Sequence, residues 1–122
     1  MARILVVDDQ QPARFLVRRV LEGEHHTISE ADDGLKALQL LDETSTPFDL
    51  ILLDLRMPNL DGFEFLSMLR VRGIRPPVII VTALWNMLPS MSDYQVSGYL
   101  SKPFTRQQLL DLVHQVLNAP TS

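Results

Sequence analysis

The chain has 122 residues, 46% of them hydrophobic, a net charge of −4 and no cysteine. That size fits one domain around one core, because two domains would each be too small to bury enough surface. The charge argues against wholesale binding of nucleic acid phosphate, which needs a basic patch, and the missing thiols exclude disulfides and thiolate metal sites.

Arg3-Ile4-Leu5-Val6-Val7 is a β-rich run that ends at Asp8-Asp9. Pro12 suits a helix start, and Ala13, Leu16, Val17, Val20 and Leu21 recur at helical spacing before Gly23 stops the run. His26 to Glu30 reads as a weaker strand near an edge, Asp32-Asp33-Gly34 as a turn and cap, and Leu35, Leu38 and Leu41 as the stripe of a second helix. After the loop Thr44 to Pro47, Leu50-Ile51-Leu52-Leu53 is an unbroken apolar run, the pattern of a parallel strand buried on both faces. It delivers Asp54 at its end. Met57 to Gly62 cannot continue a strand and opens the next helix, whose stripe is Phe63, Leu66 and Leu69, closed by Gly73.

Val78-Ile79-Ile80-Val81 is a fourth buried strand ending at Thr82, and Tyr99-Leu100 a short fifth one ending in Ser101-Lys102-Pro103. The last helix is the best signalled. Thr105 and Gln108 fit a capping box, Phe104 can staple onto Leu109, and Leu109, Leu112, Val113, Val116 and Leu117 line one face. Residues 119–122 read as a tail or linker stub, leaving a core of 3–118. No run approaches the roughly 20 apolar residues of a membrane span and no signal peptide opens the chain, so no membrane insertion and a soluble, cytoplasmic protein are expected. His25, His26 and His114 lack metal-ligand spacing and are expected at the surface.

Strict strand–helix alternation implies right-handed crossovers and an α/β fold. Five strands favour a flavodoxin-like doubly wound parallel sheet of order 2-1-3-4-5, with the ligand site outside the carboxyl ends of the strands. At those ends stand Asp8 and Asp9, Asp54, Thr82 and Lys102, with only Glu30 from the edge strand. Each alone has a plainer reading: a helix cap for the acid pair, a β-branched strand residue for Thr82, a solvated loop lysine for Lys102. Together they are a constellation. Two carboxylates about 4 Å apart repel by roughly 4 kcal/mol at an effective dielectric near 20, so three need protons or a cation. Oxygen donors without His or Cys favour a hard ion, hence Mg²⁺. An ammonium, a hydroxyl and a free carboxylate around such an ion suit phosphoryl transfer, in which an ionised carboxylate can be the acceptor.

At this point the sequence resembles the receiver domains of two-component response regulators. The residues that carry the resemblance are Ile4 to Asp9, Asp49 to Pro58 with Asp61-Gly62, Val81-Thr82-Ala83, and Tyr99 to Phe104, in the family's order. The resemblance implies that Asp54 accepts phosphate from a sensor histidine kinase or a histidine phosphotransfer protein. It implies that Asp9, Asp54 and the Arg56 backbone carbonyl hold Mg²⁺, with Asp8 acting mostly through water. It further implies that Lys102 contacts the phosphate, that Thr82 and Tyr99 form a coupled switch, and that the Lys102-Pro103 bond is cis. The signal would then pass to an unknown downstream protein through the fourth helix, fifth strand and last helix.

Departures from the family pattern cluster between Leu84 and Val96, where Pro89 forbids one regular helix through the whole stretch. A short or irregular fourth helix is expected there. Its apolar residues, Leu84, Trp85, Met87, Leu88, Met91 and Tyr94, either cover the core or form a docking or homodimer patch. The resemblance also gives Arg56 and Leu84 an influence on hydrolysis of the phosphoryl group, and a leucine cannot orient water, so self-dephosphorylation slower than in Leu84→Glu is expected. Two rivals stand beside the receiver reading. One is a phosphorylation-independent interaction module on the same fold. The other is a Mg²⁺-dependent phosphatase with an aspartate nucleophile, against which stands Arg56 where a second acid would sit.

Overall fold

The structure is a computed structural model that describes residues 2–43, 47–55, 62–74, 76–83 and 96–119. In chain order the elements are β1 (Arg3–Val7), α1 (Gln11–Glu22), β2 (Thr27–Ala31), α2 (Gly34–Glu43), β3 (Leu50–Leu53), α3 (Gly62–Val71), β4 (Val78–Thr82), β5 (Gly98–Ser101) and α4 (Arg106–Leu117). All strand pairs are parallel, in the order β2-β1-β3-β4-β5. This is the doubly wound flavodoxin-like α/β sheet that the strand–helix alternation implied. The expected irregular helix between Leu84 and Gln95, and the residues Arg56 to Asp61, lie outside the described residues.

Side chains alternate across a strand, and here both faces are apolar. Leu5, Val7, Ile51, Leu53, Val78 and Ile80 face α2 and α3, where Leu38, Phe65, Leu66 and Leu69 complete one core. Ile4, Val6, Leu50, Leu52, Ile79 and Val81 face α1 and α4, where Val17, Leu21, Leu109 and Val113 complete the other. The change of direction after β2 puts α1 and α2 on opposite faces, since every crossover keeps the same hand. It also opens a crevice between the carboxyl ends of β1 and β3.

The helix stripes differ in detail from their reading in the sequence. Leu16 and Leu35 point to solvent, while Ala37 and Phe65, absent from the expected stripes, are fully buried. Gly23 caps α1 in a right-handed conformation, and the left-handed turn that redirects the chain falls on His25, with φ of 69°. Gly73 does take the left-handed conformation after α3, with φ of 71°. The Thr105–Gln108 capping box is present with both reciprocal bonds.

His26 is not a plain surface residue. Its Nδ1 accepts a hydrogen bond from the Ala2 amide at 3.1 Å, and its Nε2 is buried with no hydrogen-bond partner among the described residues. His114 lies 6.4 Å away, ring centre to ring centre. Burial pushes the His26 imidazole below the ordinary histidine value of 6.5, and nearby like charge, including His114, pushes the same way against Glu24. The unfolded chain therefore takes up a proton at His26 before the folded one does, so the folded state loses stability as pH falls below about 6.5. The His26→Gln variant keeps an acceptor for Ala2 and should lose this part of the acid sensitivity. Urea midpoints at pH 7.5 and 5.5 check it: the wild type should fall further than the variant between the two.

Candidate functional site

Three main-chain hydrogen bonds carry the sheet one rung past its strand ends. The Asp8 amide donates to the Ala31 carbonyl at 3.1 Å, the Asp54 amide to Val7 at 2.9 Å, and the Lys102 amide to Thr82 at 2.9 Å. Backbone pairing thus fixes where each of these side chains leaves the sheet. Asp8 and Asp54, on neighbouring strands, point into the crevice at the switch point and are nearly buried. The third acid, Asp9, is exposed at the rim. One carboxylate oxygen from each of Asp8, Asp9 and Asp54 lies within 4.8 Å of the others, close enough to share one cation.

Lys102 reaches across from the end of β5. Its Nζ donates to Asp8 Oδ2 at 2.7 Å and to Asp54 Oδ2 at 2.9 Å. The lysine belongs to an edge strand two places away from β3, and its chain leaves through a cis Lys102–Pro103 bond. Burial raises the Asp8 carboxyl above its ordinary value, and the bonds from Lys102 and from the Gln10 amide counter this only in part. For Lys102, burial favours the neutral amine, but the bonds to Asp8 and Asp54 outweigh it and hold the ammonium above its ordinary value. A cavity of about 20 Å³ beside these groups, lined by Ala13, Val17 and Phe104 among others, has room for one water molecule.

Thr82 is fully buried at the end of β4, in register with Ser101. Tyr99, in register with Ile80, is 38% exposed. Arg56 lies outside the described residues. The start of α3 sits hard against the chain leaving Asp54. The Gly62 amide donates to the Leu55 carbonyl at 3.0 Å, and a Cβ at Gly62 would meet the Leu55 Cα at 2.6 Å. Only glycine admits that approach.

Sequence reasoning missed two groups at the rim. The Gln10 amide donates to Asp8 Oδ1 at 2.9 Å, and Arg14 Nη1 donates to the Asp8 carbonyl at 2.6 Å. Gln10 is the N-cap of α1 but caps through its backbone alone, so the expected cap role of the acid pair is filled differently: Asp8 binds the Gln10 amide in a local turn. Glu30, noted only as an edge-strand acid, holds both Arg14 and Arg18. The signal was present as two arginines one helical turn apart beside an acid on the adjacent strand.

Comparison with known proteins agrees with this geometry. The response regulator receiver domain family matches residues 4–114. Response regulator MprA of Mycobacterium ulcerans (strain Agy99) is 36% identical over 117 residues, covering 94% of this chain and 50% of that protein. MprA of Mycolicibacterium vanbaalenii is 36% identical over 121 residues, covering 98% and 52%. The chain therefore spans about half the length of these curated relatives. Among solved structures, response regulator TrrA of Thermotoga maritima, in complex with Mg²⁺-BeF, superposes with a TM-score of 0.84 at 31% identity, covering 95% of this chain and 99% of that one. Chemotaxis protein CheY4 of Vibrio cholerae gives 0.85 at 29% identity, covering 95% and 98%. A match over nearly all of the core, with three acids and a lysine gathered at the switch point, places this chain among the response regulator receiver domains of two-component signalling.

Proposed function

We propose that the chain is a single receiver domain, core 3–118, that accepts a phosphoryl group on Asp54 in a Mg²⁺-dependent reaction. The donor is a phosphohistidine on a sensor histidine kinase or histidine phosphotransfer protein. The observation that carries the reading is the bridging ammonium: Lys102 joins carboxylates from two strands at 2.7 and 2.9 Å. No packing need explains three acids and a lysine on one rim, whereas an oxygen-rich pocket with one cation suits a transferring phosphoryl group.

The residues fit a hard divalent ion. Asp8, Asp9 and Asp54 offer oxygen donors only, mutually within 4.8 Å, and burial already penalises the charge on Asp8. Asp9 and Asp54 would hold the ion directly, with Asp8 acting through water; the Arg56 carbonyl expected to join them lies outside the described residues. The ion would supply charge neutralisation between the acids and the incoming phosphoryl oxygens. TrrA, solved with Mg²⁺-BeF, supports this by likeness.

In the transfer, an Asp54 carboxylate oxygen forms the new bond to phosphorus as the phosphorus–nitrogen bond to the donor imidazole breaks. The product is an acyl phosphate on Asp54 and a freed histidine. Lys102 then exchanges one carboxylate for a phosphoryl oxygen. Thr82, at the end of the neighbouring strand, donates its hydroxyl to the same group, and the ring of Tyr99 turns inward from its exposed position. The altered surface around β5 and α4 binds a downstream protein. The net charge gives no reason to expect direct nucleic acid binding. Among the described residues no helix is long and apolar enough to cross a membrane, which agrees with a cytoplasmic regulator.

Acetyl phosphate with Mg²⁺ should add one phosphoryl group to the wild type and none to Asp54→Asn, read by intact mass. An unlabelled wild type would favour a phosphorylation-independent interaction module. A second outcome follows from charge. Lys102→Met removes the ammonium that bridges Asp8 and Asp54 and should lower folding stability by about 3 kcal/mol in chelator at neutral pH. Saturating Mg²⁺ should return most of that loss, because the ion replaces the missing cation. Urea midpoints with chelator and with Mg²⁺ give the comparison, and a Mg²⁺ response in neither protein would end the metal assignment.

A further inference from the structure

We propose that Arg14 is a positioning residue for the Mg²⁺ site: it fixes the peptide between Asp8 and Asp9 and thereby aims the Asp9 carboxylate at the shared ion. The inference rests on the metal role proposed above. Its geometry is separate from the ion-paired lysine. Arg14 stands on the first turns of α1, with its amide bonded to the Gln10 carbonyl at 3.1 Å. Its guanidinium divides its donors. Nε donates to Glu30 Oε1 at 3.1 Å and Nη1 donates to the Asp8 carbonyl at 2.6 Å. Glu30 is itself held from its other oxygen by Arg18, which is anchored in turn on Glu22.

The carbonyl of Asp8 and the amide of Asp9 belong to one planar peptide unit, so a donor on that carbonyl sets the tilt of the whole plane. The tilt decides where the Asp9 Cα–Cβ bond points. Asp8 is pinned at every polar group: its amide to Ala31, Oδ1 to Gln10, Oδ2 to Lys102 and its carbonyl to Arg14. Asp9, by contrast, lies exposed on the rim. The plane that Arg14 holds is the covalent link between this fixed acid and the exposed one. The Arg14 side chain is 14% exposed against 42% for Arg18, so of the two arginines on Glu30 it is the enclosed one.

Charge and position predict opposite outcomes, which makes the inference testable. As a bare positive charge near a cation site, Arg14 repels Mg²⁺, and removing it should tighten binding. As the holder of the peptide plane it favours binding, and removing it should weaken it. Second-layer contacts of this kind are worth about 10- to 100-fold in metal affinity. Arg14→Lys keeps the charge but cannot reach Glu30 and the Asp8 carbonyl together with one fork of donors.

The experiment is calorimetric titration of the whole chain with Mg²⁺, for the wild type, Arg14→Met, Arg14→Lys and Arg18→Met, with urea midpoints to establish that each is folded. We expect Mg²⁺ affinity to fall about tenfold in both Arg14 variants and to hold or rise in Arg18→Met, which removes the same charge one turn away. Equal or tighter Mg²⁺ binding by Arg14→Met overturns the inference, as does full retention by Arg14→Lys. Amide hydrogen exchange without metal provides the second readout. Exchange at Gln10, whose amide is bonded to Asp8 Oδ1, should quicken in Arg14→Met and stay unchanged in Arg18→Met; unchanged exchange in both overturns the positioning role. A wild type that takes up no Mg²⁺ overturns the metal assignment, and the exchange data then still decide whether Arg14 holds the Asp8–Asp9 turn.

Discussion

One ammonium group held between two carboxylates is the interaction on which the rim of this molecule depends. Lys102 comes from the edge strand β5, Asp8 from β1 and Asp54 from β3, and the pairs close at 2.7 and 2.9 Å. Charges this enclosed carry a desolvation cost that only good geometry offsets. Burial already drives Asp8 towards its neutral form, so without the lysine the three acids would repel across less than 5 Å. The lysine also ties the last strand to the first and third across the intervening β4. A single side chain is thus both an internal counter-ion and a tie across the sheet.

What makes the arrangement reproducible is the backbone beneath it. Asp8, Asp54 and Lys102 each stand one residue beyond a strand, and each amide is bonded to the neighbouring strand's carbonyl. A parallel sheet with both faces covered leaves its strand ends as the natural place for polar side chains. A slip of one residue would exchange Leu5, Val7, Ile51 and Leu53 with Ile4, Val6, Leu50 and Leu52, apolar for apolar, and its consequence would fall on the strand ends by carrying the acids off the crevice. On the far side of Asp54, Gly62 brings α3 within contact of Leu55, so the chain leaving Asp54 is pressed from below as well as held at its start.

The fold was legible because its signal is redundant. Leu50 to Leu53 and Val78 to Val81 are too apolar for anything but strands covered on both sides, and polar residues stand where each run stops. The helices were legible in place but less so in rotation. Leucines at 16 and 35 satisfy helical spacing as well as their buried neighbours do, yet the face that meets the sheet is set by Val17 and Leu21 in α1 and by Ala37 and Leu38 in α2. Spacing alone permits two adjacent faces, and tertiary packing chooses between them. The turn after α1 escaped for a similar reason: Gly23 is the permissive residue, but the positive φ falls on His25. The gathering of Asp8, Asp9, Asp54 and Lys102 was legible from topology alone, since order 2-1-3-4-5 brings the first and third strand ends together. Arg14 was not, because a long side chain's partner depends on its reach, which spacing does not encode.

The two arginines on Glu30 reveal how the rim divides its charges. The crevice side carries three acids and one lysine; the α1 side carries two acids, Glu22 and Glu30, and two arginines. The crevice keeps a net negative charge while the cluster behind it is balanced, and Arg14 touches both through Glu30 and the Asp8 carbonyl. Neutralising the crevice internally would take two more cations among the acids, and those would compete with any foreign ion for the same oxygens. Placing the Arg14 cation behind the peptide plane lowers the repulsion among the acids without adding a group to the crevice between them. A crevice left with two surplus negative charges, its acids already close together, favours the entry of a divalent cation over a monovalent one. The same surplus of negative charge would repel any anionic group arriving without a cation.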